Sequence, residues 1–80
     1  MVKKFTFQYR CSDIARLIIG NIKLSEYTNK EAKLKSIDYI KNIYKNNKCN
    51  IFLLEEKVSK NNIQISHNEE TVINTAVLYK

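Results

Sequence analysis

The stretch at residues 39–50, YIKNIYKNNKCN, puts two tyrosines and three lysines into twelve residues. Lysine neutralises phosphate as a point charge, and tyrosine stacks on an unpaired base. That chemistry needs both on one surface. On a helix, however, the segment sorts them apart. Ile40 and Tyr44 fall on an apolar stripe with Tyr39 at its margin, while Lys41, Lys45 and Lys48 take the adjacent flank, joined from upstream by Lys30. Tyr44 then reads as core. The lysine flank reads either as a ridge that contacts phosphates or as a plain solvated face.

A second basic set lies in KKFTFQYR. Phe5, Phe7 and Tyr9 alternate with Lys4, Thr6, Gln8 and Arg10, which is the period of a half-buried strand. The aromatic face suits a core under helices, although spaced aromatics also stack on bases. The outward face, with Lys4, Gln8 and Arg10, suits a polyanion. The candidate partner-binding residues are therefore Lys4, Arg10, Lys30, Lys41, Lys45 and Lys48.

Catalytic and metal chemistry find less support. His67 is the only histidine and sits in SHNEE, the composition of a surface turn. As a general acid or base it needs an orienting carboxylate and a substrate beside it. Two cysteines and one histidine are too few for a structural zinc site, and no base is indicated near Cys11. The single glycine, Gly20, excludes a phosphate-cradling loop and a dinucleotide fingerprint. Glu55 and Glu56 are adjacent, so on a strand they point to opposite faces. No catalytic residue, metal ligand or cofactor is expected.

The charge distribution sharpens the choice of partner. The net charge is +6, but residues 1–48 hold eleven Lys/Arg against four Asp/Glu, and residues 49–80 hold three against four. Lysine outnumbers arginine twelve to two, which favours backbone neutralisation over bidentate base reading. Ten asparagines and eleven isoleucines beside the lysines suggest an AT-rich genome, as in many phages and plasmids. The start, MVKKFTFQYR, is broken by polar residues before any apolar signal segment forms, and the apolar run LII is too short to span a membrane. A cytosolic protein with Cys11 and Cys49 as reduced thiols is expected.

The elements that must position these residues can be placed from periodicity. The first strand ends near Arg10. Ser12 or Asp13 caps a helix through Ile14, Leu17, Ile18 and Ile22, stopped at Gly20-Asn21. Thr28 and Glu31 form a capping box that opens a second helix, with Ile37, Ile40 and Tyr44 as its stripe and an end at Asn46-Asn47. NIFLLEEKVS, NIQIS and TVINTAVLYK read as strands separated by the turns KNN and HNEE.

The expectation is thus a single α+β domain over residues 1–80. Its order is β-α-α-β-β-β, with two helices on one face of a mainly antiparallel sheet. The expected function is that of a small, non-catalytic basic binding protein of a phage or other mobile element. It engages nucleic acid or a nucleic-acid-handling protein complex, for example as an inhibitor of a host defence system such as CRISPR, the partner being nucleic acid or an acidic protein surface that mimics it. Two alternatives are a protein–protein module that dimerises through the last strand, and a small toxin-type ribonuclease drawing on Arg10, Arg16 and His67.

Overall fold

The computed structural model describes residues 2–14, 16–45, 47–58 and 65–73, the last five of them as backbone. The elements are β1 (Lys3–Ser12), β2 (Leu17–Glu26), α1 (Asn29–Ile43), β3 (Lys48–Val58) and β4 (Ser66–Ile73). The strands form one antiparallel sheet in the order β3-β1-β2-β4. One helix covers one face of it, not two.

The difference lies at residues 17–26. Their isoleucines fit a helical stripe, but Ile18, Gly20, Ile22 and Leu24 also alternate with Leu17, Ile19, Asn21 and Lys23. The second period wins. β-branched residues prefer the extended chain, and β1 offers a ten-residue partner ending just upstream. Ser12 pairs with Leu17, so what reads as a helix start is a hairpin turn. The Asp13 N–H donates to the Arg16 carbonyl (3.1 Å), and the Arg16 N–H donates to Asp13 Oδ1 (2.9 Å). Ile14, expected on an apolar stripe, is exposed at this turn.

Gly20 is likewise not a helix stop. It lies mid-strand, opposite Tyr9, and its backbone has no positive φ. It supplies room: a Cβ there would overlap the Tyr9 phenol and the Asn68 carbonyl. HNEE, expected as a turn, is strand β4, with His67 opposite Ile22. Most of the expected strand NIQIS, and residues 74–80 of TVINTAVLYK, lie outside the described residues. So does the proposed dimer contact through that last strand.

α1 follows the sequence closely. The Glu31 N–H donates to Thr28 Oγ1 at 3.2 Å, and the Thr28 hydroxyl lies 3.3 Å from Glu31 Oε1. Such caps are worth about 1 kcal/mol. Ala32, Ser36, Ile40 and Tyr44 recur every four residues and are buried against the sheet. The helix ends at Ile43, three residues before the expected Asn46-Asn47 stop, with Tyr44 as its C-cap.

The core lies between α1 and the sheet. Phe5, Phe7, Tyr9 and Cys11 of β1, with Ile18, Ile22 and Leu24 of β2, meet Ala32, Ile40 and Tyr44. At one end an aromatic cluster closes it. The Tyr9 and Tyr44 hydroxyls are 3.4 Å apart, and the His67 ring stands edge-on to both Tyr9 and Tyr39. His67 thus lies half-buried on the helix side of the sheet and not on a surface turn.

Cys11 and Cys49 face each other across β1 and β3 and are joined by a disulfide, with Cα atoms 4.1 Å apart. The expectation of two reduced thiols is corrected by this pairing. It could not be read from spacing, because it depends on β3 lying against β1.

Candidate nucleic-acid interface

An antiparallel sheet packed on one side leaves its other face to solvent. Here that open face is built by the residues that alternate with the core. β1 contributes Lys4, Thr6, Gln8, Arg10 and Ser12; β2 contributes Leu17, Ile19, Asn21, Lys23 and Ser25. β3 contributes Lys48, Asn50 and Phe52 and, past a bulge at Leu54, Glu55 and Lys57. β4 adds Ser66 and Asn68.

The register arranges these residues in rows across the strands. Phe52, Gln8, Asn21 and Asn68 form a central polar row with an exposed aromatic ring at its end. On one side of it lie Asn50, Arg10 and Ile19, followed by Lys48, Ser12 and Leu17. On the other lie Glu55, Thr6, Lys23 and Ser66, followed by Lys57, Lys4 and Ser25. Two basic zones thus flank a polar strip. Lys4 and Arg10 are six residues apart on one strand, about 20 Å at 3.4 Å per residue. Among the described residues the face holds five cationic side chains against one carboxylate, Glu55, which lies 3.4 Å from Lys57.

The six candidate residues do not form one surface. Lys4, Arg10 and Lys48 are on the open face, at strand positions. Lys30 and Lys41 are exposed on α1, and Lys45 follows its C-terminus, all on the opposite layer of the molecule. Eleven residues of helix place Lys30 and Lys41 on the same side but about 16 Å apart along the axis. Lys48, expected to continue that ridge, belongs instead to β3. The helix surface is also more mixed in charge. Lys35 is ion-paired to Glu26, and this contact, as both hydrogen bond and charge attraction, raises the lysine pKa above its usual 10.5.

Lys23, Lys57 and Phe52 share the open face with Lys4 and Arg10 and were not singled out from sequence. The signal for Lys23 was the alternation of residues 17–24, once read as a strand. For Phe52 it was the two-residue step from Lys48 through Asn50; for Lys57 that step is broken by the bulge at Leu54.

Arg10 and His67 are on opposite faces of the sheet, so the structure does not assemble the set that a toxin-type ribonuclease would use. Among the described residues no group of three or more His, Cys, Asp or Glu side chains is arranged to hold a metal ion. No described helix is long and apolar enough to cross a membrane. Neither a family model, nor a curated protein, nor a solved structure matches this chain.

Proposed function

We propose that this is a non-catalytic binding protein whose open sheet face engages nucleic acid, or an acidic surface of a protein complex that handles it. One observation carries the reading: among the described residues, the face left uncovered by α1 holds Lys4, Arg10, Lys23, Lys48 and Lys57 against a single carboxylate. A sheet platform with basic side chains tracks a phosphate backbone, and an exposed aromatic such as Phe52 gives a base a surface to stack on. Lysine-dominated contacts imply backbone binding with little sequence preference. The composition fits a phage or plasmid protein that blocks a host complex, for example a CRISPR effector, by covering the nucleic acid it handles or by docking on an acidic surface of the complex.

The test is a salt series of binding to generic single- and double-stranded DNA and RNA. Affinity should fall steeply with salt, with a log–log slope of about −0.7 to −0.9 per phosphate neutralised. Lys4→Glu/Arg10→Glu/Lys23→Glu should abolish binding, and Lys30→Glu/Lys41→Glu/Lys45→Glu should weaken it only through net charge. Equal losses from the two triples would sink the assignment to the sheet face. Absence of binding at low salt would turn the reading to an acidic protein surface.

A further inference from the structure

The outer edge of β3 has no neighbouring strand among the described residues. Its middle is apolar and exposed: Phe52 is 49% accessible, Leu53 43% and Leu54 55%. Edge strands of soluble proteins are normally blunted by charge, bulges or shortness. β3 is eleven residues long, its charges, Lys48, Glu55, Glu56 and Lys57, stand only at its two ends, and its bulge at Leu54 leaves Lys48–Leu53 regular.

The hydrogen-bonding direction of this edge follows from the disulfide pair. A Cα separation of 4.1 Å marks Cys11–Cys49 as a non-hydrogen-bonded pair of the ladder. The N–H and C=O groups of Cys49, and by alternation those of Ile51 and Leu53, therefore point away from β1 to the open edge.

We propose that this edge pairs with the same edge of a second copy, antiparallel, with Ile51 on the two-fold axis. In this register Ile51 faces Ile51 of the second copy, Asn50 faces Phe52, and Cys49 faces Leu53. Past the bulge at Leu54, Lys48 faces Glu55. The outward-pointing backbone groups of Cys49, Ile51 and Leu53 then bond only to one another. Two symmetric Lys48–Glu55 pairs close the ends of the ladder at non-hydrogen-bonded positions, where side chains approach most closely.

An axis on Asn50 sets Lys48 against Phe52 and forgoes the Lys48–Glu55 pairs, and the registers on the other side are worse. An axis on Phe52 opposes Lys48 to Lys57, a like-charge pair made twice. An axis on Leu53 sets Glu55 against Phe52 and Glu56 against Ile51. Charge thus selects one register, as a strand edge with apolar centre and complementary ends requires. The result is a continuous eight-stranded sheet with both helices on the same side.

The experiment is sedimentation of the purified chain, without nucleic acid, from micromolar to millimolar concentration. The mass should rise from 9.4 kDa towards twice that value. A monomer throughout overturns the proposal, whether the edge is then covered by another part of this chain or by nothing. Lys48→Glu should raise the dimer Kd about tenfold, and Lys48→Glu/Glu55→Lys should restore it. Failure of the swap to restore it overturns the register. Ile51→Pro removes an N–H that the chain itself does not use, so the monomer should keep its fold by circular dichroism and lose the dimer. A dimer unchanged by Ile51→Pro would place the contact elsewhere and overturn the proposal.

Discussion

The two faces of one sheet divide the work of this chain. On β1, Phe5, Phe7, Tyr9 and Cys11 are fully or almost fully buried beneath α1; on the other face Lys4, Gln8 and Arg10 stay in contact with solvent, while Thr6, between Phe5 and Phe7, is buried among its neighbours. Stability is concentrated on the first face and charge on the second. Because side chains along a strand point alternately to either side, residues one position apart belong to different problems. Changes on the open face should alter binding without unfolding the protein, and changes on the covered face should do the reverse.

The sharpest way to break this comparison is to cut a large side chain from each face. Phe7→Ala removes a buried ring and should cost about 3–5 kcal/mol of unfolding free energy. Arg10→Ala should stay within about 0.5 kcal/mol while reducing nucleic-acid affinity. Urea unfolding of both variants reads the difference, and comparable losses of stability would show that the open face is packed in solution. Next comes the clasp between β1 and β3. The disulfide spans a sequence separation of 38, for which loop-closure entropy gives about 4 kcal/mol. Cys11→Ala/Cys49→Ala, or the reduced protein, should lower the denaturation midpoint accordingly, and mass after alkylation reports which form is present. The smallest change sharpens the covered face. The Ser36 hydroxyl is fully buried and makes no hydrogen bond among the described residues. Ser36→Ala should therefore raise stability by about 1 kcal/mol, because it removes a desolvated polar group from a helix. A loss would mean that the hydroxyl has found a partner, such as a trapped water.

How much of this was legible beforehand depended on whether one period or two fitted a segment. KKFTFQYR alternates and fits no helix, and Thr28 with Glu31 announces the start of α1; the strand and the start of the helix stand as read, while the helix ends earlier, at Ile43. Leu17–Glu26 satisfied both periods, and only the presence of β1 as a partner decides between them. Gly20 reinforced the wrong reading, since a glycine after an apolar run resembles a helix end. Its actual role, making room for Tyr9, exists only once the two strands are paired. The disulfide was illegible for the same reason: it is a statement about β3 lying against β1, from opposite sides of the helix. Of the six candidate residues named from sequence, the structure places three, Lys4, Arg10 and Lys48, on one face of the sheet. A helical ridge and a strand face look alike as lists of lysines. The two-layer arrangement puts Lys30, Lys41 and Lys45 behind the sheet and brings Lys23 and Lys57 forward beside Lys4.

The strand order has a consequence in time as well as space. β1 and β2, the inner pair, are joined by a short turn, whereas β3 and β4 come later and attach on the flanks. During synthesis the N-terminal segment leaves the ribosome first. The central hairpin can close on its own, because local pairing carries little chain-closure entropy. Until α1 and β3 emerge, its apolar face and both its margins lie open, and that interval is when this chain has most need of a chaperone.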